Sequence, residues 1–369
     1  RILDWYLPKF FTHPKNSFYH IFNNEIPGLF DFLRAKEKLK SSFNKKIKIH
    51  FIEHHLTHMA SSFLVSPFKD SAIMSMDARG EIATTVLGHG NETRISKIKE
   101  ARMPHSLGMF YAAITNYLGF SHGEDEYKVM GLASYGEPIY IEKFRDIISF
   151  DKKKLLKTNL KYFSYQNGRG FFSKFFFDSF GNSRKYNEVL EKKHKDIAAS
   201  AQLLLEELVI KLATHLKEIT GKKNLCMAGG VALNCVANSK LYEQKIFDNI
   251  YIQPAAGDNG GALGAAFYVY NSILGNSRNY EMQSALLGPE FSNDQIEKHL
   301  KISKVSYRKS DNICIETAKF LAEGKIIGWY QSRMEFGPRA LGSRSILADP
   351  TNPEMKDRIN KFVKFREEF

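Results

Sequence analysis

The sequence predicts an α/β fold, and three features carry that reading. An apolar strand from Asp70 to Asp77 breaks at Gly80 and turns back as a hairpin. Two further apolar strands run into glycine-rich helix starts, at Gly229-Gly230 and at Gly257 to Gly264. Ahead of them, a run from His194 to Thr220 has apolar residues at helical spacing and a glycine stop at Gly221, the pattern of a long amphipathic helix.

Composition narrows the function classes. At 369 residues, 43% apolar and 25% charged, the chain suits two or three globular domains and argues against disorder. Its net charge of +13 admits nucleic acid or an anionic small substrate. The Lys and Arg residues are dispersed and no RNA-binding signature occurs, so small phosphate-bearing molecules are favoured and nucleic acid is disfavoured. Cys226, Cys235 and Cys314 are odd in number and widely spaced, as in a reducing cytosol and not in a disulfide scaffold or cysteine zinc site. No apolar run is long enough to cross a membrane and none reads as a signal peptide, so a cytoplasmic location is expected. The chain opens on Arg1 and stops at Phe369 inside what read as structural elements, so a fragment of a longer protein is expected.

In order, Asn16 to Phe22 and Leu29 to Leu39 read as helical segments divided at Pro27-Gly28. Ile47 to Ile52 reads as a strand feeding a helix that reaches about Ser66. Three short strands follow, from Asp70, Ile82 and Thr93. Leu107 to Leu118 reads as a helix, and Glu126 to Gly136 as a short helix closed by glycine. The stretch from Asp146 to Glu191 is rich in Lys, Phe and Tyr. Interleaved basic and aromatic residues can stack on single-stranded nucleic acid, but consecutive phenylalanines favour an insertion packed against the main body. Pro289 to Ser306 reads as a connector and Asp311 to Gly324 as a helix.

Four places carry chemistry. On a helix, His54 and His58 in Glu53-His-His-Leu-Thr-His58 are i and i+4 neighbours whose rings can grip one metal ion; a pair of surface or core histidines is the plain alternative. A zinc-protease motif is disfavoured, because the position after the first His is His55 and not the required Glu. The strand ending in Asp77-Ala-Arg-Gly80 is how actin-like and sugar-kinase-like ATPase domains begin, with Asp facing metal or phosphate; a turn that merely contains Asp and Gly stays open beside it. The Gly257-Asp258-Asn259-Gly260-Gly261 turn sets backbone N–H groups at a helix N-terminus, a seat for phosphate. Arg333, Arg339 and Arg344, set among glycines, suit a phosphate or carboxylate cluster.

Six motifs in order then resemble the NodU/CmcH-type O-carbamoyltransferase family, whose members modify nodulation factors, cephem antibiotics and aminoglycosides such as tobramycin. They are His54 to Phe63, Met76 to Glu81, Glu126 to Gly136, Gly229 to Asn234, Gly257 to Gly264 and Arg333 to Gly342, and the resemblance covers roughly residues 48 to 369. It implies a two-lobed actin-like, ribonuclease H-like (ASKHA) domain over 1–308, followed over 309–369 by the start of a YrdC-like α/β domain. It also implies further strands before Arg1 and more of the second domain past Phe369. The activity implied is transfer of a carbamoyl group from carbamoyl phosphate, through an ATP-derived carbamoyl-adenylate, to a hydroxyl of a sugar, antibiotic or other small acceptor.

The implied metal ligands are His54, His58, Asp77 and Asp258. Two imidazoles and two carboxylates suit Fe(II), Mn(II) or Zn(II); iron is favoured through the resemblance, with ATP and its Mg as co-substrate. Glu126, Lys128, Gly131, Gly229, Gly230, Asn234, Asn259, Gly260 and Gly261 are expected at the nucleotide or carbamoyl-adenylate, and Arg333, Arg339 and Arg344 at carbamoyl phosphate or ATP in the second domain. The base that deprotonates the acceptor is unassigned, with His105 and His55 as candidates, and a homodimer is left open. The rival readings are a tRNA threonylcarbamoyl transferase-like enzyme, a small-molecule kinase of the same superfold and an inactive nucleotide-binding protein.

Overall fold

A computed structural model describes residues 26–43, 48–164 and 170–369. The chain divides into two compact units, 1–281 and 282–369. The Asn16 to Phe22 segment lies outside the described residues. Helix α1 (Ile26–Phe43) places Pro27 in its first turn, where the missing N–H costs nothing.

The expected strand at 47–52 does not form: residues 48–53 run as irregular chain into α2 (His54–Phe63). They join none of the strands of the five-stranded sheet, which lie side by side in the order 94–102, 83–91, 70–76, 224–228, 249–252. Strands β1 (Asp70–Met76), β2 (Ala83–Asn91) and β3 (Arg94–Arg102) form an antiparallel meander. Six of the seven β1 residues are buried, so this central strand is covered on both faces.

From the meander the chain leaves through α3 (Leu107–Tyr117), α4 (Glu126–Ala133) and α5 (Ile141–Arg145), then the hairpin β4 (Ile148–Asp151) and β5 (Leu155–Thr158), then α6 (Lys174–Phe180). The aromatic run lies in a core: Phe172, Phe176 and Phe180 are buried, and the Phe172 and Phe176 rings stack at 3.6 Å. The hydroxyl of Tyr117, on α3, donates to Phe180 O at 2.8 Å and ties that cluster to the body. The rings of Phe172, Phe176 and Phe180 thus stack on one another, as an insertion packed on the main body requires.

Helix α7 (Lys192–Thr220) starts two residues before the expected His194, on a reciprocal cap between Glu191 and His194, and ends at Gly221 in the left-handed region, the glycine stop its sequence predicts. It returns the chain to β6 (Asn224–Ala228), α8 (Cys235–Glu243), β7 (Asn249–Ile252) and α9 (Asn259–Phe267). Strand β6 runs parallel to β1, and β7 parallel to β6. The turns after β1, β6 and β7 therefore open at one edge of the sheet, where α/β proteins place ligands. Ser75 pairs with Ala228, so Asp77 and Gly230 leave the sheet at one level. Helix α2 is fixed beside this edge by Met59, Ala60, Phe63 and Leu64, packed with Ile73, Val86 and Cys226. Each of the larger of these side chains contributes about 1.5–3 kcal/mol on burial.

The second unit holds α10 (Asn293–Ile302), α11 (Ile313–Ala322), the antiparallel hairpin β8 (Ile327–Tyr330) with β9 (Arg344–Leu347), and α12 (Met355–Ile359). The expected connector thus contains a helix, α10, started by a capping box between Ser292 and Gln295. This compact unit starts at Met282. Backbone bonds between Gly288 N and Met334 O at 2.8 Å and between Met334 N and Pro289 O at 3.1 Å pair the connector with the arginine-rich segment.

Candidate functional site

At the edge where the three turns meet, four side chains aim donor atoms at one point. Nε2 of His54 lies 3.0 Å and Nε2 of His58 2.9 Å from the same oxygen, Oδ2 of Asp77, and the two nitrogens are 3.0 Å apart. Oδ1 of Asp258 stands 3.5 and 3.6 Å from them, and all four donor atoms fall within 4.8 Å of one another. Helical spacing presents the two histidines, Asp77 directly follows β1, and Asp258 immediately precedes α9.

The donor set fits a cation. Two imidazole nitrogens at 3.0 Å, both also on one carboxylate oxygen, crowd lone pairs and N–H groups that cannot all be satisfied by one another. Nδ1 of His58 is buried with no hydrogen-bond partner, so every polar partner of that ring is on its Nε2 side. Burial alone would keep His58 neutral, but its contacts with Asp258 and Asp77 outweigh burial and raise it to about 9. Burial also pushes the Asp77 carboxyl up, yet hydrogen bonds from His54 and His58 hold it well below the usual carboxylate range. A divalent ion that takes nitrogen and oxygen ligands would replace those shared protons.

The glycines of the turns are set by close approach. Gly229 has φ +93°, and a Cβ there would meet Met76 O at 2.1 Å. A Cβ on Gly230 would stand 3.1 Å from Oδ1 of Asp77, so this turn wraps the carboxylate. On the other side a Cβ on Gly261 would lie 3.3 Å from Thr57 Oγ1, and one on Gly264 only 1.9 Å from Thr57 O. The start of α9, and with it Asp258, is thereby pressed against the histidine helix. Asn259 is exposed at that helix start, and Gly260 is buried with its N–H on Gly257 O at 3.0 Å.

Other expected nucleotide residues make hydrogen bonds and ion pairs within the fold. Asn234 caps α8 through Ala237 N and exchanges two hydrogen bonds with Gln202 of α7 at 2.8 and 3.1 Å. Its side chain holds helices together. Glu126 accepts from Gly123 N at 2.6 Å at the start of α4, Lys128 pairs with Asp125 at 3.3 Å, and Gly131 lies inside the same helix. Neither candidate base faces the donor cluster. Nδ1 of His105 accepts from Thr158 N at 3.1 Å, and burial, then the Lys154 ammonium, lower its pKa. His55 has both ring nitrogens engaged, with Ser75 Oγ at 2.8 Å and Ala83 O at 2.9 Å, and burial takes it down to about 4.

In the second unit the arginine loop is organised by a residue the sequence reading gave no role. Oε1 of the buried Glu335 accepts from Leu341 N and Ser343 N at 2.7 Å each. Arg344 lies 3.3 Å from its other oxygen and donates to Gly337 O at 2.7 Å. Arg333 donates to Gly288 O at 3.0 Å, and Arg339 is exposed. Two further residues went unassigned: Glu81, whose Oε1 accepts from His54 N at 3.2 Å, and Arg278, whose guanidinium donates to the carbonyls of Phe63, Leu64, Ser66 and Phe68 at the C-terminal end of α2. The acidic residue of Asp-x-x-Gly-Glu81 was a signal for the first; a lone loop arginine gave none for the second.

A mixed sheet with four clustered His and Asp donors, a set that could hold a metal ion, at the ends of its parallel strands defines an α/β protein with its candidate site at that edge. Residues 16–267 match the family described as Carbamoyltransferase N-terminus and residues 318–369 the one described as Carbamoyltransferase C-terminus; the chain belongs to the carbamoyltransferase family. It is 44% identical to an uncharacterised protein of Synechocystis sp. over 86% of this chain and 54% of that one. It is 37% identical to Nodulation protein NolNO of Sinorhizobium fredii over 87% of this chain and 46% of that one. The chain spans about half the length of the curated relatives it matches. Among solved structures, full-length HypF in its phosphate- and nucleotide-bound form covers 65% of this chain and 46% of its own at 14% identity and a TM-score of 0.35, a likeness too slight to carry an argument. No helix among the described residues is long and apolar enough to cross a membrane.

Proposed function

We propose that the chain carries the transfer site of an O-carbamoyltransferase, which takes a carbamoyl group from carbamoyl phosphate, by way of an ATP-derived carbamoyl-adenylate, to a hydroxyl of a small acceptor such as a sugar or antibiotic. The observation that carries this reading is the convergence of His54, His58, Asp77 and Asp258 at the ends of three parallel strands. The first unit is read as the actin-like, ribonuclease H-like domain, supported by its antiparallel meander extended by two parallel strands. The second is read as the beginning of a YrdC-like domain.

His54, His58, Asp77 and Asp258 would hold one divalent ion, with Fe(II) first and Mn(II) or Zn(II) as alternatives. Bound there, such an ion supplies Lewis-acid stabilisation of negative charge and a template for substrate oxygens. The chain's own contribution is placement. Gly230 and the Asn259 to Gly261 turn let a nucleotide's phosphates approach backbone next to the carboxylates, while Asn234 acts indirectly by fixing α8 to α7. Glu126 and Lys128 stay candidates for ribose or phosphate, and Lys128 would exchange its pairing with Asp125 for the ligand. In the second unit Arg333, Arg339 and Arg344 would meet carbamoyl phosphate or ATP, with Glu335 holding Arg344 in place.

The test is metal content and carbamoyl transfer in the full-length protein. His54→Ala and Asp258→Asn are expected to lose bound metal and turnover together. Stoichiometric metal retained in both variants sinks the assignment.

A further inference from the structure

The three-histidine run uses its middle member in a way the transfer chemistry does not touch. His55 is fully buried, on the same helix turn as His54, and its ring spans two strands. Nδ1 lies 2.8 Å from Ser75 Oγ on β1 and Nε2 lies 2.9 Å from Ala83 O on β2. A carbonyl can only accept, so Nε2 carries the proton and Nδ1 accepts from the serine hydroxyl. One tautomer is thereby fixed, with no polar atom of the ring left over.

Those anchor points bracket the turn that bears Asp77. Ser75 is two residues before it, and Ala83 begins the strand that leaves the turn and bonds back through Gly80 N to Ala83 O at 2.7 Å. The turn also rests on the histidines themselves. A Cβ on Gly80 would meet His55 Cδ2 at 3.0 Å and the His54 side chain at 3.1 Å, and Glu81 at the turn's end accepts from His54 N at 3.2 Å. The first turn of α2 and the Asp77 to Ala83 loop are thus one interlocked body. His55 joins this helix turn to β1 and β2 at once, while the N-cap residue Glu53 accepts from Lys97 Nζ on β3 at 2.7 Å.

We propose that His55 is a positioning residue for the metal centre: by bonding Ser75 and Ala83 at once it sets the angle at which α2 presents His54 and His58 to Asp77. This rests on the metal reading above. It explains why a second histidine stands between the two donors without joining them, and it assigns Ser75 as the matching partner on the sheet. Removal of a group that orients a ligand typically costs about 10- to 100-fold in metal affinity, and the ligand field changes with the angle.

The probe is Co(II) alone, titrated into the full-length protein and followed by its visible absorption, with circular dichroism as the check on folding. Wild type is expected to bind one equivalent. His55→Leu is expected to bind about 10- to 100-fold more weakly, with shifted bands. His55→Gln, which keeps a donor for Ala83 O, is expected to recover most of the affinity, and Ser75→Ala to shift the bands with a smaller loss. A folded His55→Leu with wild-type affinity and spectrum overturns the proposal. Should His55→Leu not fold, Ser75→Ala decides, and an unchanged spectrum there overturns it. Failure of wild type to bind Co(II) overturns the metal reading instead.

Discussion

The two units hold charged groups by opposite means. In the first, four donor atoms are delivered from a helix and two strand ends that rest on a deep core, in which Met59, Phe63, Ile73 and Met74 are wholly buried. In the second, buried side chains are few among the described residues, and the arginine loop is ordered by one carboxylate and the backbone around it. A site carried on packed elements has its geometry set before a ligand arrives. A loop wound on a single carboxylate has geometry that depends on the charge of that group.

The largest expected effect breaks the first half of this contrast. Asp77→Ala removes the oxygen shared by both histidines and should lower metal affinity in the full-length protein by more than about 100-fold, beyond the range for partners that only orient a ligand; equilibrium competition against a chelator measures it. Arg278→Ala, far along α2 from the donors, should cost about 2–3 kcal/mol in denaturant unfolding, since it strips charge-assisted bonds from the helix end. A loss confined to metal affinity with unchanged stability would show that the core does not carry the site.

Gly264→Ala sharpens the same point. Its methyl has no room against Thr57 O, so α9 must move, at about 1–3 kcal/mol for overpacking, and Asp258 moves with it. Thermal melting and Co(II) bands should change together.

The smallest effect belongs to the second unit. Burial pushes Glu335 up, but the N–H groups of Leu341, Ser343 and Arg344 outweigh it and bring it down to about 2. A carboxyl depressed in the fold stabilises it fully above the ordinary value near 4.5, and that stability fades as pH falls toward about 2. Fluorescence of Trp329 in a Trp5→Phe background should report acid unfolding in that window, and Glu335→Gln should flatten the pH dependence. Identical acid curves for both proteins would leave the loop independent of Glu335.

The donor set was legible because each member sits in a local pattern with its own physical reason: i and i+4 spacing for His54 and His58, an Asp at a strand end for Asp77, a glycine turn at a helix start for Asp258. What sequence missed depends on register and distance. Asn234 reads as a ligand in a glycine-rich turn, but only the packing of α8 on α7 shows its amide facing Gln202. Residues 48–52 have a strand's alternation, yet a strand needs a neighbour, and these residues pair with none of the five strands of the sheet. Ser292 and Gln295 did form a local signal for α10, a capping box of the expected spacing, set in what otherwise read as a connector.

The parallel pairing of β6 with β1 also has a consequence in time. His54, His58 and Asp77 belong to one local helix-and-hairpin segment that closes on itself early in the sequence, whereas Asp258 arrives only after β6 and β7 have crossed back to the sheet. Contacts so distant along the chain form late and slowly. During synthesis the three donors His54, His58 and Asp77 are all made before the long α7 helix, and Asp258 comes last, on the side where its own side chain stays open to solvent.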